Sequence, residues 1–153
     1  MTKEEFEQLR KEIKELRMEL LMVVCSMRDL GESLQKYLDN TENITTKKEE
    51  LLEQNVEDFL IRLGISQEKR GFIYLKTAIL IGLKEGVKRR LLYSRVMQES
   101  NATYDAITGA IQIVKKEAIE KKTDTFINVF GDNHEQIPTM SFIFRIVDFL
   151  KSQ

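Results

Sequence analysis

The sequence predicts an all-α protein: an N-terminal parallel coiled-coil helix followed by a compact six-helix domain containing a helix-turn-helix. Three observations carry this. The 153 residues include one proline and seven glycines, so few positions oblige a helix to stop. The first part of the chain repeats apolar residues in alternating steps of three and four. The rest is a succession of short amphipathic stretches separated by cap-forming residues.

Composition narrows the class. Charged residues make up 32% and hydrophobic residues 42%, which fits neither a disordered tail nor a membrane protein. The opening MTKEEFEQLRKEIKEL is too charged for a signal peptide, and the apolar run Leu20 to Cys25 is far shorter than the ~20 residues of a membrane span. A single cysteine cannot form an intrachain disulfide and suits a reducing compartment, so a cytoplasmic location is expected. The sequons at Asn43 and Asn101 carry no meaning without a secretion route.

Residues 1–38 read as an oligomerisation helix. With Phe6 at heptad position a, Phe6, Ile13, Leu20, Met27 and Leu34 fall at a, and Leu9, Leu16, Val23, Leu30 and Tyr37 at d. A 3.5-residue repeat sustained over five heptads keeps one seam facing a partner helix. Glu5, Glu12 and Glu19 fall at g, Arg10 and Arg17 at e. A parallel pair sets Glu5 against Arg10 and Glu12 against Arg17, whereas an in-register antiparallel pair sets Glu against Glu. Each exposed pair contributes only tenths of a kcal/mol, but the sign favours parallel self-association. Leu at d in three of the five heptads suits a dimer, while Leu21, Met22 and Val24 widen the apolar surface toward a tetramer or other higher oligomer. Cys25 falls at f, away from the seam.

Residues 39–48 are polar and rich in capping types, and predict a hinge. Within them Thr46-Lys47-Lys48-Glu49 fits a capping box that would start a new helix. From 49 to 153 the pattern gives six short helices. The first carries Leu51, Leu52, Val56, Phe59, Leu60 and Leu63 and ends at Gly64. The second begins at Ser66 and runs to about Gly86, with Phe72, Leu75, Ile79 and Leu83 inward. The third covers roughly Ser94 to Ser100, and Asn101-Ala102 is a tight turn. Thr103 caps the fourth, whose inward stripe is Ile107, Ala110, Ile111, Val114 and Ala118. A fifth spans about Asp124 to Phe130. Pro138-Thr139 opens the sixth, burying Phe142, Ile143, Ile146, Val147 and Leu150.

The third and fourth helices, three residues apart, have the spacing of a helix-turn-helix, a spacing that an ordinary helical hairpin shares. In the DNA-binding arrangement the outward residues Tyr104, Asp105, Thr108, Gly109 and Gln112 would meet the major groove. Lys115, Lys116, Arg95, Arg89 and Arg90 would meet phosphates. The net charge of −1 is silent on nucleic acid, but from Lys88 to Lys122 eight basic residues face four acidic ones. A local basic excess is the minimum a phosphate-binding surface requires.

The blocks Leu63-Gly64-Ile65 and Gly71-Phe72-Ile73-Tyr74-Leu75-Lys76-Thr77-Ala78-Ile79 resemble the C-terminal DNA-binding domain of the stage-zero sporulation protein A family. Leu92-Tyr93, Asn101-Ala102-Thr103, Phe130-Gly131, Pro138-Thr139 and Phe142-Ile143 follow in the family's order, so the likeness covers Val56 to Gln153. The resemblance implies a six-helix fold whose helix-turn-helix binds promoter DNA, dimerised by a phosphorylated receiver. Two departures stand out. The heptad helix stands in the receiver's place, so constitutive oligomerisation is expected. The family's recognition helix is rich in arginine, whereas the aligned positions here are Ala106, Gly109 and Gln112; arginine to guanine is the commonest specific base contact.

The function expected is that of a homo-oligomeric, DNA-binding transcriptional regulator with double-stranded DNA as partner. The alternative is a receiverless paralogue that binds a protein and has lost specific DNA readout. An enzyme is not expected. One Cys and one His exclude a Cys/His zinc cluster, and no glycine-rich phosphate loop occurs, so neither metal nor cofactor is implied. His134, in the loop GDNHEQ, reads as solvated. Glu49, Glu50, Glu53, Glu57 and Asp58 read as the wet face of a helix.

Overall fold

The computed structural model describes residues 2–132 and 136–153, so His134 lies outside the described residues. Among them the protein is all-α, with six helices: α1 Lys3–Arg62, α2 Arg70–Glu85, α3 Arg89–Ser100, α4 Tyr104–Lys121, α5 Asp124–Phe130 and α6 Thr139–Lys151. No helix among the described residues is long and apolar enough to cross a membrane. The chain divides into two compact units, one ending at Lys48 and the other beginning at Glu49.

The first unit is helix alone. Its start is fixed by a capping box that the sequence reading placed elsewhere. The Thr2 amide donates to Glu5 Oε2 at 2.9 Å, and the Glu5 amide donates to Thr2 Oγ1 at 3.2 Å, satisfying two free donors of the first turn. The expected hinge over residues 39–48 is corrected: α1 runs through it unbroken. The reason is local. The hydroxyls of Thr41, Thr45 and Thr46 donate to the carbonyls of Tyr37, Thr41 and Glu42, each at 2.9 Å, so these residues turn their polarity back onto the helix. Thr46 therefore caps nothing, and the domain's first helix is the end of α1. The a and d residues from Phe6 to Tyr37 are exposed.

The second unit is built around one apolar core. The end of α1 contributes Val56, Phe59 and Leu60, then stops in a two-bond Schellman turn. The Gly64 amide donates to Ile61 O at 2.9 Å and the Ile65 amide to Leu60 O at 3.2 Å, with Gly64 at φ 91°, where a side chain would be strained. Leu51, expected inward, is exposed, whereas its neighbour Leu52 packs against the core.

Helix α2 begins at Arg70 rather than Ser66 because residues 66–69 form a turn. Ser66 is held there by Glu117 of α4, its hydroxyl donating at 2.8 Å. Helix α3 begins at Arg89 rather than near Ser94; its weakly amphipathic sequence buries only Leu92 and Val96 and hides its own start. Helices α4, α5 and α6 have the expected bounds, with Thr103 capping Ala106 and Asn101 in the left-handed region at φ 54°. The stripe Ile107, Ile111, Val114 and Ala118 is fully buried, while Ala110 and Leu150 are only half-buried.

Helix α2 packs against α3, α4 and α6. Gly71 makes its approach to α4 possible: a Cβ there would lie 2.2 Å from Ala110 O and 2.7 Å from Val114 Cγ1. Since the obstacle is backbone, the two helices would have to separate. Gly71→Ala is therefore expected to destabilise the protein by about 1–3 kcal/mol, read as a lower urea midpoint.

The carboxylate of Glu117 ties α4 to the α1–α2 turn. It accepts from the Ser66 hydroxyl and pairs with Lys69 and Lys121, each at 3.0 Å, and Lys121 also donates to Gly64 O at 2.6 Å. Burial pushes the Glu117 pKa up, but the hydrogen bonds from Ser66, Lys69 and Lys121 outweigh it and set the group at about 2 against an ordinary 4.5. A depressed carboxylate stabilises the fold fully above its unfolded value, and this contribution fades as pH falls toward the folded one. Acid unfolding should thus gain a component between about pH 4.5 and 2 that Glu117→Gln removes, as followed by circular dichroism.

Candidate nucleic-acid interface

Helices α3 and α4 are joined by Asn101-Ala102-Thr103. The left-handed Asn101 ends α3, its amide donating to Met97 O, and the Thr103 hydroxyl accepts from the Ala106 amide to open α4. The angle between the two is supported by an edge-to-face contact of Tyr93 with Tyr104, ring centroids 5.3 Å apart at 83°. Burial, and secondarily the neighbouring Tyr104, push the Tyr93 phenol above its ordinary pKa, so it is neutral at physiological pH.

Because one stripe of α4 is buried, its opposite face is fixed outward. Tyr104, Asp105, Ala106, Gln112, Ile113 and Lys116 are exposed. Asp105 sits in the first turn, where a negative charge suits the helix dipole. Thr108 is half-buried and its hydroxyl donates to Tyr104 O at 2.9 Å, so its donor is committed to the helix itself. Gly109 has no packing role within the chain, since a Cβ there would meet nothing within 4 Å.

Two of the cations expected at phosphates have partners within the fold. Arg95 is engaged internally: its guanidinium donates to both oxygens of Glu85, at 2.9 and 2.5 Å, and to Gln98, with Glu99 at 3.4 Å. The hydrogen bonds from Arg95 hold the Glu85 carboxyl below its ordinary pKa. Lys115 is likewise engaged, donating to Ile137 O at 2.7 Å and to Thr139 Oγ1 at 3.3 Å, so it links α4 to the entry of α6. Burial lowers its pKa. Both residues are thus held in contacts within the fold. Arg89 lies over the Phe144 ring at 5.2 Å yet remains exposed, and Arg90 is exposed. Lys116 is exposed and only loosely paired, 3.9 Å from Glu120.

Sequence reasoning missed Ile113, which is 60% exposed beside Gln112. Its signal was available, because it falls one residue before the buried Val114, off the inward stripe. It also missed Glu85 as the partner of Arg95. That pairing spans the α2–α3 connection and leaves no local pattern, unlike Glu99 one helical turn from Arg95.

Neither a comparison with protein-family models nor one with curated proteins gives a match to this chain. The resemblance to the sporulation regulator therefore rests on the sequence blocks alone.

Since nothing occupies the space at Gly109, the helix bears the ordinary propensity cost of glycine without a packing return. Gly109→Ala should raise stability by about 1 kcal/mol, the reverse of Gly71→Ala, in the same urea titration.

Proposed function

We propose that the protein is a cytoplasmic, self-associating DNA-binding regulator whose α3–α4 pair is a helix-turn-helix and whose α1 heptads join copies in parallel. The observation that carries this reading is the α3–Asn101–Thr103–α4 geometry, with the outward N-terminal half of α4 left exposed. The resemblance to the sporulation regulator's effector domain supports it and suggests sporulation as the setting. With Arg95 and Lys115 engaged in the fold, each head offers Arg89, Arg90 and Lys116 to phosphates. Binding is then weak per head, salt-sensitive, tolerant of sequence and dependent on two heads acting together. Gln112 is the residue placed for a base edge, with adenine its natural partner.

A mobility-shift titration of the full chain on random duplex at several salt concentrations tests this. The logarithm of affinity should fall against log salt with a slope of about −3 for one head and about −5 for two. Lys116→Ala should reduce that slope by about one unit per head and weaken all sequences alike, whereas Gln112→Ala should relax preference at one or two base pairs and leave the slope nearly unchanged. No shift at low salt, with the fold intact by circular dichroism, would defeat the DNA reading.

A second reading has its own observation. The outward face of α4 carries the exposed apolar Ile113, and Ala106, Gly109 and Gln112 stand where a groove-reading helix of the resembled family carries arginine. A protein partner would meet that face through apolar contact, and Ile113→Asp would abolish its binding while leaving any DNA shift in place.

A further inference from the structure

We propose that the α1 seam joins two copies of this chain, parallel and in register, and that it continues past Tyr37 through Thr41, Ile44 and Lys48. This rests on the self-association in the preceding reading and specifies its length, direction and strand number.

The length follows from the continuity of the helix. A break at the expected hinge would have ended the heptad phase. Because α1 is helical throughout, the phase holds, and Thr41 and Lys48 fall at a with Ile44 at d. Ile44, an apolar side chain seven residues beyond Tyr37, is 57% exposed. A d-position isoleucine in that state is what an extended seam leaves uncovered until a second helix arrives.

The direction follows from charge. Glu5 and Glu12 at g meet Arg10 and Arg17 at e only in a parallel pair. Between Glu19 and Lys47 the flanking positions are neutral: Val24, Gly31, Leu38 and Thr45 at e, Ser26, Ser33 and Asn40 at g. The charged part sets register, and the neutral part lets the helices approach without like-charge repulsion. A Cβ on Gly31 would meet nothing within 4 Å, so the flank is open to a neighbour.

The strand number follows from Lys48. A lysine at a in a two-stranded seam carries its ammonium out to water along the helix, whereas three or four strands would enclose it. The occupant of the seam is therefore a single second copy.

The test uses the full chain with Cys25→Ser and single cysteines introduced by Leu9→Cys, Leu30→Cys, Ile44→Cys or Lys36→Cys, the last at the outward c position. Mild oxidation should cross-link the Leu30→Cys and Ile44→Cys chains to homodimers. The Lys36→Cys chain should cross-link about ten-fold less, and sedimentation equilibrium should give a mass of two chains. A monomer at micromolar concentration would overturn the proposal and the self-association reading together. Cross-linking at Leu30→Cys but not Ile44→Cys would keep self-association and overturn the extension. A mass of three or four chains would overturn the strand number. A mixed cross-link between Leu9→Cys and Ile44→Cys chains, with neither linking to itself, would overturn the parallel direction.

Discussion

The backbone of α4 lies so close to α2 that the carbonyl of Ala110 occupies the space where a side chain at position 71 would begin. Much else in the domain depends on that contact. It presses the Ile107, Ile111, Val114 and Ala118 stripe into the core, and by doing so decides which residues of α4 face outward. Glu117 then fixes the same helix to the turn after α1, and Lys115 fixes it to the entry of α6. A helix held at its middle and along its far half, with only its first turns free on one side, is a rigid platform for whatever meets that side.

The elements that could be read from the sequence are those whose ends are chemically marked. Thr103, Thr123 and Pro138 announce α4, α5 and α6, and Gly64, Asn101 and Gly131 close their predecessors or the helix itself. The failures are of two physical kinds. Capping residues inside a helix can satisfy themselves against the preceding turn, so Thr41, Thr45 and Thr46 looked like punctuation and are not. The other kind is tertiary. Ser66 to Lys69 could have continued the α2 pattern, but Glu117, fifty-one residues from Ser66 along the chain, holds them in a turn.

The same division runs through the candidate interface. Exposure of Tyr104, Asp105 and Gln112 followed from periodicity alone, because the buried stripe is regular. What periodicity could not say is which cations are spoken for. Arg95 is held by Glu85 and Lys115 by the carbonyl of Ile137, whereas Arg90 and Lys116 are exposed. Of the two held residues, only Arg95 has its charge offset by a carboxylate, that of Glu85; Lys115 keeps its charge but has its donors committed to neutral oxygens. Gly109 resolves the other way: its openness means that no internal contact requires it, in contrast to Gly71.

The threonine-rich stretch of α1 has a consequence for how that helix forms. Asp, Asn and Thr are poor helix formers, each up to about 0.7 kcal/mol worse than alanine, and their hydroxyl bonds to carbonyls one turn back do little to offset this. The stretch from Asp39 to Thr46 is almost entirely of these types. Its order is borrowed from the helix on either side and, in the proposed dimer, would come also from the second chain over Ile44. In that dimer assembly and local folding would be one event in this stretch: dilution that separated the chains would also loosen their helices, and proteolytic nicking here would report the loss of the partner.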